Sequence, residues 1–289
     1  MHARIAVTLS AVVLFPASAV AQAPHLVRVS GRRVDVVRGG TGAPAVVFES
    51  GLGDALDDWR SVWPGVARFA AVVAYSRPGL GRSDPDSGNH SARAEMAQLH
   101  AMLRSLGVKL PVVLVGRSYG GLLVRLYTSL YPDDVAGLVL VDGTHEQQVA
   151  RWGALDRTYP GAFRAFFDSV LATLKPGTEA DETRETVRIQ AAGTVPGLTP
   201  LPDIPLAVLT SMKSDPAATT VNGTARGHEA WRAMHDEWFA RSRNAIHIVT
   251  TRSGHAIQDD EPQLVIEAVR FVVNRVRAGR RAGPAAIAR

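Results

Sequence analysis

The sequence predicts an α/β protein with a doubly wound, mostly parallel sheet and an inserted helical lid. Short apolar runs alternate with amphipathic helical patterns along most of the chain, whereas residues 143–201 contain no strand-like run. Continuous apolar runs rich in β-branched residues are typical of strands buried on both faces of a parallel sheet. Such runs occur at 45–48, 70–75, 111–115, 137–141, 205–209 and 246–249.

The first residues have the pattern of a secretory signal peptide. Arg4 gives a positive start, an apolar run extends from Ile5 to Phe15, and small residues follow from Ala17 to Ala21. The apolar run is well short of the ~20 residues that span a bilayer. We therefore expect residues 1–21 to be removed, and the mature protein to be secreted or periplasmic without stable membrane insertion.

The remaining elements follow from alternation and helical spacing. Residues 25–30 and 33–38 alternate in polarity around Gly31-Arg32, which predicts a hairpin. Apolar residues spaced three to four apart predict helices near 96–106 and 122–130. A third helix is expected to open at Asp260-Glu261-Pro262, because proline is tolerated in a first helical turn.

The segment that lacks strand patterns is predicted to be the lid. Residues 163–174 have an amphipathic helical pattern, and residues 182–192 resemble a second helix. We therefore assign 143–201 to a helical lid, and 22–142 together with 202–278 to the core. The lid also carries aromatic residues that either pack within it or form an apolar pocket: Trp152, Tyr159, Phe163, Phe166 and Phe167.

Composition and charge exclude several kinds of chemistry. The chain has no cysteine, which rules out disulfides, thiol nucleophiles and cysteine-ligated metals. A hydrophobic fraction of 46% and a charged fraction of 20% are typical of a globular protein. The net charge of +5 reflects arginines, several of them near the C-terminus. Because no aromatic residues are interleaved for base stacking, we interpret 279–289 as a flexible basic tail and predict no nucleic-acid binding.

The strongest local motif is Gly116-Arg117-Ser118-Tyr119-Gly120-Gly121, between the apolar run ending at Val115 and the helical pattern from Leu122. This is G-x-S-x-G in the strand–turn–helix context that a nucleophilic serine requires. The glycines permit a tight turn, and the helix N-terminus favours developing negative charge. The motif therefore predicts Ser118 as a nucleophile.

A serine hydroxyl needs a base to become nucleophilic. Among the nine histidines, His255 is distinguished by its position after the last predicted core strand, in Ser253-Gly254-His255. Loops that follow the carboxyl ends of parallel strands gather at one edge of the sheet. We therefore expect His255 to meet Ser118 there as the general base.

These motifs together resemble those of the α/β-hydrolase family, and the resemblance covers nearly all of the mature chain. It implies the chain order nucleophile, acid, histidine, and an oxyanion hole made by the backbone N–H groups of Leu52 and Tyr119. It implies no cofactor and no metal. The serine argues against epoxide and haloalkane chemistry, for which this fold uses an aspartate. The resemblance rests on Glu49-Ser50-Gly51-Leu52-Gly53, on the run from Tyr75 to Asp84, on the serine motif and on Ser253-Gly254-His255.

The acid of the expected triad has two candidates, each at the end of a predicted core strand. Asp215 is close to the common family position, though one residue late, and Asp142 stands where a minority of members carry the acid. The run from Val141 to Gln148 resembles a subgroup that uses the earlier position, so we favour Asp142 and keep Asp215 as the alternative.

The expected function is hydrolysis of a carboxylic ester or related acyl bond of a small to medium apolar substrate. The same triad would serve a lactonase, an aminopeptidase-like enzyme or a perhydrolase. A ligand-binding or sensing protein without catalysis is the alternative from a different class. The sequence gives no prediction of oligomeric state.

Overall fold

The structure, a computed structural model, describes residues 23–86, 88–239 and 242–282. The predicted signal peptide, 1–21, lies outside the described residues, and so does the predicted basic tail from residue 283 onward. The last described helix extends to Ala282. This helix includes residues 279–282, the first four of the predicted basic tail.

The described residues form one sheet of eight strands. These are β1 (His25–Val29), β2 (Arg32–Gly39), β3 (Val46–Glu49), β4 (Val72–Tyr75), β5 (Val112–Arg117), β6 (Val135–Val141), β7 (Leu206–Ser211) and β8 (Ala245–Thr250). Their order is β1-β2-β4-β3-β5-β6-β7-β8. Strands β3 to β8 pair in parallel, while β1 pairs with β2 and β2 with β4 in antiparallel register. The doubly wound, mostly parallel sheet and the hairpin are confirmed.

Helices connect the strands, and several are additional to those predicted. They are α1 (Trp63–Ala67), α2 (Ala92–Ser105), α3 (Tyr119–Leu130), α4 (Gln148–Leu155), α5 (Tyr159–Thr173), α6 (Thr178–Ala192), α7 (Ala225–Asp236), α8 (Ile257–Asp260) and α9 (Pro262–Ala282). The helix expected to open at Asp260-Glu261-Pro262 is α9, which begins at Pro262. The short helix α8 comes before it, with Glu261 between the two.

The core lies on both faces of the sheet because successive strand side chains point in opposite directions. In β3, Val47 packs into one apolar cluster with residues of α2 and α3. Its neighbours Val46 and Phe48 pack into a second cluster with residues of α1 and α9. Strands buried on both faces explain the continuous apolar runs of the sequence.

Three helices, α4 to α6, occupy the segment between β6 and β7 that was predicted to be a lid. They do not pack alone. A third apolar cluster joins Trp152 of α4 and Tyr159 of α5 to Trp231 and Met234 of α7. The inserted helices and α7 thus cover the sheet edge where the parallel strands end, although movement of the segment as a lid stays a prediction.

The mature protein was predicted not to insert stably into a membrane, and the described helices bear on this prediction. None of these described helices combines the length and the apolar character that crossing a bilayer requires.

Candidate active site

Ser118 stands on a sharp corner between β5 and α3. Its backbone has φ 50° and ψ −121°, a left-handed conformation that side-chain-bearing residues adopt rarely. The Ser118 carbonyl accepts hydrogen bonds from the N–H groups of Gly121 at 2.9 Å and Thr144 at 2.9 Å. Strain of this kind costs ~1–3 kcal/mol and persists only when neighbouring contacts impose it. The corner holds the hydroxyl at the N-terminus of a twelve-residue helix.

Two glycines of the motif permit this corner. A Cβ at Gly116 would collide with the backbone of Gly120, and a Cβ at Gly120 would collide with the carbonyl groups of Glu49 and Ser50. The collisions are with backbone atoms, which cannot rotate away as a side chain could. The G-x-S-x-G spacing is therefore required by the close approach of β3, β5 and α3.

His255 pairs with Asp142. Its Nδ1 lies 2.7 Å from Asp142 Oδ2. The other carboxylate oxygen of Asp142, Oδ1, accepts hydrogen bonds from Trp231 Nε1 at 2.8 Å and from the Ser211 N–H at 3.0 Å. Asp142 is buried and has a positive φ of 44°. Three donors thus fix a carboxylate at the end of β6 against the imidazole.

The charge state of Asp142 follows from two opposing effects. Burial disfavours the carboxylate, but the hydrogen bond and charge of His255, with contributions from His235 and Trp231, outweigh it. The pKa of the Asp142 carboxyl therefore lies below its usual value. An ionised Asp142 keeps the proton of His255 on Nδ1, which leaves Nε2 free to accept one.

Asp215 has a different environment. Its side chain is exposed and accepts a hydrogen bond from the Ala217 N–H at 2.8 Å. Its backbone N–H donates to the Gly223 carbonyl at 3.1 Å. These contacts are those of a turn, and the structure brings Asp142, rather than Asp215, to His255.

Ser118 and His255 line the same cavity. The structure shows no hydrogen bond between these two described side chains, and that of His255 is about half exposed, at 53%. In sites without substrate, catalytic hydrogen bonds are often long and tighten when substrate binds. The Asp142 carboxylate holds the His255 ring at Nδ1, 2.7 Å away, and leaves the opposite side of the ring exposed.

The predicted oxyanion-hole residues, Leu52 and Tyr119, both line this cavity. Tyr119 is the first residue of α3, so its N–H has no partner within the helix. Leu52 lies on the loop after β3, and the structure shows no hydrogen bond of its described backbone. Both residues thus border the cavity that Ser118 lines, and their role as oxyanion donors stays a prediction.

A buried ion cluster supports the loop that carries Leu52. Arg77 donates to the carbonyls of Ser50 at 2.9 Å and Gly51 at 2.6 Å. The same guanidinium forms ion pairs with Glu49 at 2.7 Å and Glu182 at 2.6 Å. All three charged side chains are at most 2% exposed. Arg77 therefore fixes the backbone on the N-terminal side of Leu52.

Glu182 fixes the other side of Leu52 from helix α6. Its Oε2 accepts from the Gly53 N–H at 2.9 Å, and both of its carboxylate oxygens pair with Arg77. Nearby Glu95 is also buried. Burial, with the neighbouring charge of Glu182, raises the pKa of the Glu95 carboxyl well above its usual range. The inserted segment thus contributes a charge to the support of the loop that carries Leu52.

Replacing Glu182 with leucine is expected to destabilise the protein strongly. The change leaves a buried guanidinium with one carboxylate partner, and breaking a buried ion pair typically costs ~3–5 kcal/mol. Urea unfolding followed by circular dichroism measures the free energy of unfolding. The control, Asp181→Asn on the same helix, removes an exposed pair with Arg184 and should change it by less than ~1 kcal/mol. Equal effects of the two changes would contradict the proposed support.

A second hydrogen-bonded chain lies behind Asp142. His235 Nε2 is 2.9 Å from the Gly143 carbonyl, and its Nδ1 is 2.6 Å from Thr210 Oγ1. Burial lowers the pKa of His235 to about 3, so the ring is neutral. A neutral ring donates from Nε2 to the carbonyl and accepts from the hydroxyl at Nδ1. This contact holds the backbone directly after Asp142.

Acid is expected to lower stability through two buried histidines. Burial lowers the pKa of His235 to about 3 and that of His145 to about 4. Both folded-state values lie below the unfolded value near 6.5, so the unfolded chain binds the protons first as the pH falls. Between about pH 7 and about pH 5, we expect the free energy of unfolding to fall by ~2 kcal/mol per histidine. Urea unfolding at both pH values measures it.

His145→Asn serves as the control for that titration, because it removes one of the two groups. Because the raised pKa of Glu95 acts in the opposite direction as the pH falls, the parent and the variant are compared with each other. The change in the free energy of unfolding from pH 7 to pH 5 should be less favourable in the parent than in His145→Asn by ~2 kcal/mol. An equal change in the two proteins would contradict the neutral, buried state of His145.

The cavity in front of Ser118 has a volume of about 650 Å³. The five aromatic residues that were predicted either to pack in the lid or to form a pocket all line it. Trp152 and Tyr159 are also buried against each other, whereas Phe166 is 60% exposed. A space of this size, with several aromatic side chains in its wall, suits a small to medium apolar molecule.

Three residues that contact the candidate site were not predicted from the sequence. Trp231 lies in a polar helix and is part of no motif, so nothing in the local sequence connects it to Asp142. Glu182 lies in a helix of mostly polar residues, and its partner is more than a hundred positions away. Arg77 belongs to the Arg-Pro-Gly run that carries the family resemblance, which was an available signal.

Arg117, the second residue of the serine motif, does not line the cavity. Its side chain instead pairs with Asp54 and with Asp58, the latter at 2.9 Å. In the described parts of the chain, 23–86, 88–239 and 242–282, the structure shows no group of three or more histidine, aspartate or glutamate side chains arranged to hold a metal ion.

Comparison with known proteins agrees with this geometry. A family profile described as alpha/beta hydrolase fold matches residues 44–200, more than half of the chain. The chain belongs to the alpha/beta hydrolase fold family. A curated member of similar sequence is Esterase Rv0045c of Mycobacterium tuberculosis, 29% identical over 282 residues that cover 87% of this chain and 90% of that protein. This membership confirms the resemblance and the expectation of a hydrolase.

Solved structures show the same fold. A haloalkane dehalogenase variant, DbeA-M1 of Bradyrhizobium elkanii, superposes with a TM-score of 0.65 at 17% identity, covering 90% of this chain and 99% of its own. A thermophilic esterase of Thermogutta terrifontis gives a TM-score of 0.60 at 17% identity, covering 88% and 99%. At 17% identity this similarity shows a shared fold, and the type of reaction has to be argued from the residues of the site.

Proposed function

We propose that this alpha/beta hydrolase cleaves carboxylic esters through a Ser118–His255–Asp142 triad. The observation that carries the proposal is the 2.7 Å contact between His255 Nδ1 and a carboxylate held by Trp231 and Ser211. That contact sets the imidazole tautomer that a general base needs. The similarity to a protein named as an esterase supports the same class of reaction.

The proposed reaction has two stages. Ser118 Oγ attacks the ester carbonyl while its proton passes to His255 Nε2, and the resulting oxyanion accepts hydrogen bonds from the N–H groups of Leu52 and Tyr119. The C–O bond to the alcohol then breaks, and His255 returns the proton to the leaving oxygen. In the second stage His255 deprotonates a water that attacks the acyl-enzyme, and the acid leaves as Ser118 regains its proton.

The aromatic cavity supports an apolar substrate of small to medium size. Its volume of about 650 Å³ accommodates an acyl chain together with an alcohol group. A nucleophilic serine, rather than an aspartate, favours acyl transfer over the epoxide or haloalkane chemistry of other members of this fold.

A panel of p-nitrophenyl esters from acetate to decanoate tests this proposal. We expect hydrolysis with saturation kinetics and with an optimum at short to medium chain length. The same preparation is assayed on a lactone, on an amino-acid p-nitroanilide and for perhydrolysis of acetate. Turnover of only one of these three would reassign the reaction, and turnover of no substrate by folded protein would favour a ligand-binding role.

We also propose that the mature protein is exported, on the basis of the leader pattern of residues 1–21. Expression of the full chain in a Gram-negative host, followed by fractionation and N-terminal sequencing, tests this. A mature N-terminus at Gln22 in the periplasmic fraction is expected. Full-length protein found only in the cytoplasm would contradict it.

A further inference from the structure

Helix α6 presents an unpaired hydroxyl to the cavity in front of Ser118. Thr186 lines this cavity and is 7% exposed, yet its Oγ1 has no hydrogen-bond partner. A buried hydroxyl in a helix commonly bonds the carbonyl four residues earlier. Thr183, on the same helix, does so with the Glu179 carbonyl at 2.7 Å. The hydroxyl of Thr186 is therefore left unsatisfied beside the space that a substrate would fill.

A second unsatisfied polar atom lies on the adjoining helix. Gln148, the first residue of α4, also lines the cavity, and its Oε1 is buried without a partner. Gln190 joins the two helices, since its Oε1 accepts from the Val149 N–H at 3.3 Å and its Nε2 donates to the His145 carbonyl at 3.0 Å. Gln190 is one turn beyond Thr186, and Val149 is next to Gln148. Gln190 thus links the two helices that carry the unsatisfied side chains of Thr186 and Gln148. Three other lining residues also have a buried unpaired atom: Tyr119 Oη, Asn222 Oδ1 and His228 Nδ1.

Thr186 and Gln148 adjoin the predicted oxyanion side of the site. Glu182, one turn before Thr186 on α6, accepts from the Gly53 N–H. Leu52 and Tyr119 line the cavity together with Thr186 and Gln148. An apolar pocket with a few convergent polar groups is the usual form of a selective ligand site, in which those groups fix the orientation of the ligand.

We propose that the substrate carries a hydroxyl group that binds between Thr186 and Gln148. The proposal rests on the esterase function above and narrows its substrate to hydroxylated esters. A hydroxyl both donates and accepts. It can donate to the amide oxygen of Gln148 while it accepts from the hydroxyl of Thr186, which satisfies both atoms at once. A plain alkyl chain in the same place leaves both unsatisfied, and unmade hydrogen bonds of buried groups are costly.

Matched esters test the proposal. On the acyl side, p-nitrophenyl butyrate is compared with p-nitrophenyl 3-hydroxybutyrate; on the alcohol side, butyl acetate is compared with its hydroxylated counterparts. We expect kcat/KM to favour the hydroxylated member of one of these sets by about tenfold or more. No preference for a hydroxylated ester in either set would overturn the proposal.

Substitutions in helix α6 test whether Thr186 causes the preference for the hydroxylated ester. Thr186→Val, which replaces the hydroxyl by a methyl group of similar size, is expected to lower the preference, measured as kcat/KM for the hydroxylated ester divided by kcat/KM for the plain ester, about tenfold. Thr186→Ser should retain the preference, and Thr183→Val, whose hydroxyl is already bonded within α6, should also retain it. A preference that survives Thr186→Val would overturn the proposal.

The same experiment separates this proposal from the function on which it rests. Hydrolysis of plain and hydroxylated esters at equal rates contradicts only the hydroxyl site. Absence of hydrolysis of every ester, in protein whose Ser118 is also inert to a fluorophosphonate, contradicts the esterase function itself.

Discussion

Replacing Ser118 with alanine is expected to lower kcat for ester hydrolysis by about 10⁶-fold. Removal of a nucleophile from a serine triad has an effect of this order, and what remains derives from the oxyanion hole and from binding. Because the cavity keeps its aromatic walls, KM should change little. Discontinuous assays with long incubation times on the preferred p-nitrophenyl ester measure the residual rate.

The alanine variant needs a check on folding, since residue 118 has a positive φ. Alanine has the same backbone requirement as serine there, so the strain is already present in the parent protein. A melting temperature within a few degrees of the parent is therefore expected. A folded Ser118→Ala variant with more than about a hundredth of the parent rate would show that another group is the nucleophile.

Replacing Asp142 with asparagine is expected to lower kcat by about 10⁴-fold. The asparagine oxygen can still accept from Trp231 Nε1 and the Ser211 N–H, which orients its NH₂ group toward His255 Nδ1. Nδ1 must then accept, so the ring proton moves to Nε2, where it blocks proton transfer from Ser118. The imidazolium that forms during the reaction also loses its counter-charge.

Asp215→Asn is the matched control for the acid. Asp215 is exposed, and its side chain bonds the Ala217 N–H in a turn, so the substitution should alter kcat less than about twofold. The pair of variants is compared on one ester at saturating concentration. Nearly full activity in Asp142→Asn, or a large loss in Asp215→Asn, would contradict the choice of acid.

The sequence predicted the sheet well because its strands are buried on both faces. Outside buried strands, continuous apolar runs such as Val112 to Val115 are uncommon in a globular protein of this composition. Helices α4 and α7 were harder to predict from the sequence, because α4 has Gly153 in its second turn and α7 is largely polar. Tertiary contact stabilises both, since Trp152 stacks on Trp231 with ring centroids 5.2 Å apart.

Candidate site residues could be proposed from the sequence only where they belong to a local motif. Ser118 is a candidate because of the glycines around it, and His255 because of its place after the last strand. The acid could not be chosen in the same way, because Asp142 and Asp215 both follow core strands. Two features of the structure distinguish them. Asp142 has a positive φ, and Trp231 of α7 donates a hydrogen bond to its carboxylate. The sequence around Asp142 indicates neither feature. The Arg77–Glu182 pair was missed for the same reason.

Labelling with a fluorophosphonate tests the central claim most directly, since the reagent reacts with a serine only when a base activates it. The folded protein is treated with the probe, digested and analysed by mass spectrometry. We predict a single adduct on the peptide that contains Ser118, lost in Ser118→Ala and formed far more slowly in His255→Ala. Folded protein that remains unlabelled, or that is labelled on a different serine, would contradict the account.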